Sequence, residues 1–240
     1  LGECNLKLLN YQKAREYFLI QYEILNNAEN ILEFKIYFIR ILLKLGYLDF
    51  LLGSYLSSID FYKNALNNIQ NIQKHNNNIS ELSYLFGCTF NGLINANLIL
   101  KDYKQAIKYS NILLEYTLNE LAKFNSIENI KKQRKEYLSL KFLEMNACFK
   151  LAICYSSNKM FHEALRLHER EAKLAKELKN ILFLTRAYSN IAQIFYFNKE
   201  YENSINFYRK ILNLIEEKIS NKTNNNNNLF INLNKKKEKY

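Results

Sequence analysis

The chain has 240 residues, 48% of them hydrophobic and 24% charged, and a net charge of +11. A chain of that length buries about 70 to 75% of its unfolded surface, enough for one domain or two, and its apolar content excludes disorder throughout. Proline is absent and glycine occurs only five times, which disfavours a sandwich or barrel with many tight turns and points to long helices joined by short loops.

Taken in chain order, the pattern predicts a helical stub over 2–10 and helices over 11–27, 30–51, 55–74, 79–100, 103–124, 130–157, 160–179, 181–198 and 201–219. Leu1 already lies inside a helical pattern, so the chain is expected to be a piece of a longer one, and the lack of a leader carries no information. The apolar segment from Phe34 to Leu56 is interrupted by Lys35, Arg40, Lys44 and Asp49. Each charge costs roughly 2.5 to 3.5 kcal/mol near a bilayer centre, so a buried helix with a polar stripe is expected rather than a membrane span. The Asn-rich stretch Asn67–Asn78 and the charged stretch Phe124–Lys135 are expected as longer helix ends or surface loops. Beyond Ser220 the sequence NKTNNNNNLFINLNKKKEKY has no core-forming period. The division is therefore a helical repeat array over 1–219 and a low-complexity tail over 220–240, expected to be disordered.

A pattern of sizes recurs along the array. Small residues stand at Ala14, Ser58, Ala106, Ala164 and Ser204, and three residues before each is an aromatic: Tyr11, Tyr55, Tyr103, Phe161 and Tyr201. Four residues after come Phe18, Tyr62, Ser110, His168 and Tyr208; twelve before come Gly2, Gly46, Ile94, Ala152 and Ala192. Antiparallel helices approach closely only where side chains are small, and large aromatics one turn away fill the space beside the crossing. Each pair keeps an apolar face that the next pair must cover, so volumes repeat while surface chemistry drifts.

The pattern resembles the tetratricopeptide repeat, over Leu1 to about Lys218. The residues that carry the resemblance are Leu1-Gly2, Tyr11, Ala14 and Phe18; Leu45-Gly46, Tyr55, Ser58 and Tyr62; and Leu151-Ala152, Tyr155, Phe161 and Ala164. The last pair, with Arg186-Ala187 and Asn190-Ile191-Ala192, is similar to the forty-residue subclass found in Pins-type spindle adaptors, kinesin light chains and tonsoku-like scaffolds. No unit has the family's early Trp or closing Pro, and Ile94 stands where Gly or Ala belongs. The resemblance implies an all-α, right-handed superhelical solenoid of antiparallel helix pairs.

It also implies a concave face lined by the first helix of each unit. Mapped from the small residue, that face is Arg40, Leu43, Lys44 and Tyr47; Cys88, Asn91, Gly92 and Asn95; Asn146, Phe149, Lys150 and Ile153; and Arg186, Ser189, Asn190 and Gln193. Amides grip a peptide main chain because they donate and accept at once, and Arg and Lys pair with carboxylates. The peptide-binding set is therefore Arg40, Lys44, Asn91, Asn95, Asn146, Lys150, Arg186, Asn190 and Gln193. With no acid among the sixteen positions, an acidic or extended peptide is the expected partner.

Other chemistry finds little footing. Cys4, Cys88, Cys148 and Cys154 form no CxxC and are expected as small buried hydrophobes in a reducing, cytoplasmic compartment. His168 falls at a core aromatic position, and Glu169 and Glu171 are expected on a solvated face. No nucleotide loop, HExxH, GxSxG or Cys–His pairing is present, so no enzyme, cofactor or metal is expected. Residues 218–240 hold six Lys and one Glu, leaving +6 for the array, but no RNA- or DNA-binding motif accompanies that charge. The Lys131-Lys132, Arg134-Lys135 cluster is ambiguous in the same way. The expected function is a scaffold or adaptor for protein partners, with cytoskeletal or ciliary association compatible. The alternative is a structural part of a nucleic-acid- or membrane-associated assembly anchored by the basic tail. The sequence does not address oligomeric state.

Overall fold

A computed structural model describes residues 1–26, 31–75 and 80–237, with side chains placed for all of these except 75, 80 and 221–237. The described residues form eleven helices and no strand: α1 Gly2–Lys7, α2 Tyr11–Asn26, α3 Leu32–Leu51, α4 Tyr55–His75, α5 Ser80–Ile99, α6 Tyr103–Ala122, α7 Ile127–Lys132, α8 Arg134–Ser157, α9 Phe161–Glu177, α10 Ile181–Phe197 and α11 Tyr201–Lys237. The chain forms two compact units, Leu1–Met160 and Phe161–Tyr240. Of the Asn-rich stretch, α4 takes residues up to His75, and 76–79 lie outside the described residues. The backbone of α11 continues as helix through Lys237, past the expected boundary at 219; from residue 221 on, the side chains of the expected tail lie outside the described residues.

The short loops share one turn. Leu9, Gly53, Lys101, Lys159, Lys179 and Lys199 all have positive φ, between 52° and 81°. In each case the next residue's N–H bonds to the carbonyl five residues back: Asn10 to Asn5, Ser54 to Asp49, Asp102 to Asn97, Met160 to Tyr155, Asn180 to Ala175 and Glu200 to Phe195, at 2.8–2.9 Å. This is the Schellman closure of a helix C-terminus. Asp102 and Asn180 then cap the following helices by accepting from Gln105 N and Phe183 N at 3.1 and 3.2 Å, satisfying donors that a helix start leaves open.

Packing follows the repeat of sizes. Ser58 Oγ donates to the Gly46 carbonyl at 2.7 Å, so α3 and α4 cross where both residues are small. A Cβ on Gly2 would stand 3.0 Å from the Phe18 ring, and one on Gly46 would stand 3.0 Å from the Tyr62 ring. The Tyr62 ring also lies where a Cβ of Gly92 would be, at 2.2 Å. Gly92 is therefore buried against α4 rather than open to a groove. Ile94 and Ala106 are both fully buried in one core cluster with Phe90, Leu113 and Cys154. Rings bridge helices within it, Phe86 and Tyr116 at 4.0 Å and Tyr22 and Phe38 at 5.3 Å. In the second unit, Phe207 of α11 meets Tyr188 and Phe195 of α10, and Phe161 of α9 stacks on Phe197.

Two local expectations are corrected. The helix expected from 130 is two helices, because Gln133 leaves helical geometry at φ −115° and ψ 37°. Cys4 is exposed on α1, whereas Cys148 and Cys154 are buried.

Candidate functional site

Three of the expected groove residues come together in the first unit. Arg40 of α3, Asn91 of α5 and Asn146 of α8 line a cleft of about 840 Å³, together with Cys88. Its apolar wall is Tyr84, Leu140, Phe142 and Leu143, and α5 and α8 approach closely at Gly87, where a Cβ would stand 2.7 Å from Leu143 Cδ1. Tyr84 keeps 70% of its surface exposed. The Asn91 Oδ1 atom is buried with no hydrogen-bond partner in the structure, an acceptor whose desolvation a bound N–H would offset.

The rim of the cleft was not part of the expected site. Lys132 of α7, Gln133 at the break, and Arg134, Lys135 and Glu136 at the start of α8 all border it. Lys132, Arg134 and Lys135 are exposed, and among the described residues none of the three makes an ion pair. The break at Gln133 lets α7 and α8 present this basic run at the cleft mouth instead of winding it around one helix. The sequence showed the run; only its placement makes it part of a site.

The remaining cations already have acidic or amide neighbours. Arg40 Nε donates to Glu81 Oε1 at 2.9 Å, and Lys44 pairs with Glu3 while its ammonium stands 5.0 Å from the Phe18 ring centre. Lys150 Nζ donates to Asn95 Oδ1 at 2.6 Å, joining two expected groove residues to each other. In the second unit Arg186 Nε donates to Glu171 Oε1 at 2.8 Å, and its guanidinium lies 4.5 Å from the Phe183 ring centre. Asn190 Nδ2 is buried without a partner, and Gln193 is exposed on α10. The inner-face positions are free of acid, but Glu3, Glu81 and Glu171 from neighbouring helices supply it.

Glu171 overturns the solvated-face expectation. It is fully buried, held by Arg186 and by His168 Nδ1 at 2.9 Å, and His168 is itself 1% exposed. A buried carboxylate needs such partners because its desolvation costs several kcal/mol. Glu169, by contrast, is exposed as expected.

Burial raises the Cys88 thiol above its ordinary pKa, with a hydrogen bond to Tyr84 acting weakly the other way. That thiol is protonated at neutral pH and packs rather than reacts. Among the described residues no group of three or more His, Cys, Asp or Glu side chains is placed to hold a metal. No described helix is long and apolar enough to cross a membrane.

Family models for the tetratricopeptide repeat match residues 147–182 and 185–218. No curated protein matches the sequence. Solved structures match over nearly the whole chain. The apo form of RapI is 14% identical, covering 91% of this chain and 69% of that one at TM-score 0.67. BtubC from P. vanneervenii is also 14% identical, covering 90% and 78% at TM-score 0.66. The nearly identical TPR-like repeats of a putative kinesin light chain from Podosopora anserina are 12% identical, covering 92% and 93% at TM-score 0.65. At these identities the likeness shows the fold. Residues 147–182 and 185–218 thus match the tetratricopeptide repeat, and the described residues form an all-α array of antiparallel helix pairs. Such repeats are protein-interaction modules, which supports a protein-interaction scaffold in general terms.

Proposed function

We propose that the chain is a scaffold that holds an acidic, extended segment of a partner protein in the cleft between α5 and α8. The observation that carries this reading is the set of three exposed cations without carboxylate partners, Lys132, Arg134 and Lys135, at the mouth of a cleft with an apolar wall. Partner carboxylates would meet these cations, apolar side chains would lie on Tyr84, Phe142 and Leu143, and a main-chain N–H would reach Asn91 Oδ1. Arg40 and Lys150 then act indirectly, holding the groove's shape through Glu81 and Asn95. In the second unit, Asn190 and Gln193 of α10 remain groove candidates, with Arg186 held to Glu171 beside them.

The test uses fluorescein-labelled peptides of alternating Glu and Leu, read by anisotropy against a Lys-and-Leu control. The Lys132→Ala, Arg134→Ala, Lys135→Ala variant should bind the acidic peptide about tenfold more weakly, since three exposed pairs at roughly 0.5 kcal/mol each sum to that factor. Binding of the acidic peptide should also weaken as salt rises. Equal affinity of the parent and the variant, or equal affinity for the Lys-containing control, would sink the reading.

A further inference from the structure

The turns that close α1, α3 and α5 carry exposed aliphatic side chains at one end of the first unit. Leu8 and Leu9 stand at the first turn, Leu51, Leu52 and Leu56 at the second, and Ile99 and Leu100 at the third. They retain between 36% and 77% of their surface. The three turns lie level. Arg15 near the start of α2 and Ser57 near the start of α4 both bond to Asp49 near the end of α3, which sets the first two turns side by side. Gly46 of α3 and Gly92 of α5 meet the same Tyr62 ring, and Leu52 and Leu100 follow those glycines by six and eight residues.

Turn geometry does not require these side chains. The turn after α8 closes in the same way, with positive φ at Lys159 and the Met160 N–H on the Tyr155 carbonyl. Yet Ser157 and Asn158 stand there in the places that Leu51-Leu52 and Ile99-Leu100 hold in the other turns. Neighbouring repeats do not cover them either, because helices of an array stack side by side and leave their turns at the ends. The second and third turns already have packed helices on both sides, with α3 and α4 set between α2 and α5, and α5 and α6 between α4 and α8. Their exposure is therefore a property of the array itself.

The free charge around the tips is basic. Lys7 and Lys13 flank the first turn, and Lys101 and Lys104 the third; all four are exposed. Among the described residues none of the four makes an ion pair. The acids at these turns are already engaged, Asp49 buried on Arg15 and Asp102 accepting from Gln105 N. We propose that this end of the first unit docks on an anionic bilayer surface without crossing it. Aliphatic tips enter the boundary of the acyl chains while lysine ammonium groups stay among the anionic headgroups. A second copy is a poor occupant, because two-fold pairing of this end sets the lysines against one another. A protein partner needs separate pockets matched to three tips, whereas acyl chains yield to all of them. This docking is independent of the α5–α8 cleft.

Co-sedimentation of the full chain with phosphatidylcholine vesicles, with and without phosphatidylserine, tests it. The parent should bind the phosphatidylserine vesicles about tenfold or more tightly than phosphatidylcholine alone. Leu8→Ser with Leu52→Ser and Leu100→Ser keeps every charge, yet should lose about tenfold of that binding. Its far-UV circular dichroism should not change, because all three side chains are exposed. Ile127→Ser with Leu182→Ser, exposed at other connections, should bind as the parent does. The chain has no Trp, so Leu52→Trp puts a single indole at one tip. Its emission should move to shorter wavelength on phosphatidylserine vesicles and be quenched by brominated acyl chains. A triple serine variant that binds as the parent does would assign the attraction to net charge or the basic tail and overturn the docking. An unquenched indole would do the same. A parent that ignores both vesicle types would also overturn it and leave the tips to a protein partner.

Discussion

At the scale of single residues, Gly92 is the most tightly enclosed of the five glycines. Its hydrogen stands where any larger residue would put a carbon 2.2 Å from the Tyr62 ring, and that ring is itself held between α3 and α5. Burial also pushes the Tyr62 hydroxyl pKa well up. Gly92→Ala should therefore overpack the site at about 1–3 kcal/mol in chemical denaturation. Gly53 tests the opposite cause: nothing lies within 4 Å of its Cβ site, but its φ is +81°. Gly53→Val should lose about 1–2 kcal/mol through backbone conformation alone. Thiol chemistry separates the four cysteines. Cys4 should react first with an aromatic disulfide reagent because it is exposed. Cys88 should lag because its half-buried thiol has a raised pKa, so less thiolate exists at any given pH. Cys148 and Cys154 should react only on unfolding. Cys88 reacting as fast as Cys4 at neutral pH would contradict this order.

At the scale of elements, α2, α3 and α4 are joined by a buried charge. Asp49 is fully buried; Arg15 Nε donates to its Oδ1 and Ser57 Oγ to its Oδ2, both at 2.5 Å. The Asp49 hydrogen bond is the main cause of a raised Arg15 pKa, against the lowering effect of burial. Removing the cation strands a carboxylate, so Arg15→Leu should cost about 3–5 kcal/mol. The double change Arg15→Leu, Asp49→Leu should cost less, since no charge is left unpaired. A double variant as unstable as the sum of both single changes would argue against the pairing. The turns give a second element-scale expectation. Lys199 occupies the left-handed region at φ 64°, where an L side chain costs roughly 1–2 kcal/mol and glycine returns roughly 0.5–1 kcal/mol of that as unfolded-state entropy. Lys199→Gly should therefore gain about 0.5–1 kcal/mol. The same geometry at Lys159, φ 61°, makes that turn less tolerant of β-branched residues than its exposure suggests.

At the scale of the whole molecule, a repeat array fails locally because each pair of helices touches only its neighbours. Overpacking at Gly92 should reduce hydrogen-exchange protection in α3 to α6, which share that core, while α10 and α11 keep theirs. Protection lost evenly over both units would show cooperativity that a repeat array does not have. Charge acts at this scale too. Under the proposed function, the net charge of +11 would steer an acidic partner segment towards the chain at a distance, and the cations at the cleft mouth would decide where it docks.

What the sequence by itself determined is the array. The small residues at 14, 58, 106, 164 and 204 and the aromatics around them set helix bounds that mostly fall within one or two residues of those observed, because close helix crossings restrict volume at fixed offsets. The resemblance to the tetratricopeptide repeat, rather than packing volume, put Arg40, Asn91 and Asn146 among the expected groove residues, and all three line one cleft. Tertiary structure alone decided which cations are occupied. Lys44 meets Glu3 and Arg40 meets Glu81 across 41 residues each, and Arg186 meets Glu171 across 15. These separations follow from how one helix is rotated against the next, which local periodicity does not encode. The turn at Gln133 was equally hidden, since a polar residue among lysines reads as continuous helix until packing bends it. That bend turns a charged stretch of sequence into the rim of a cleft.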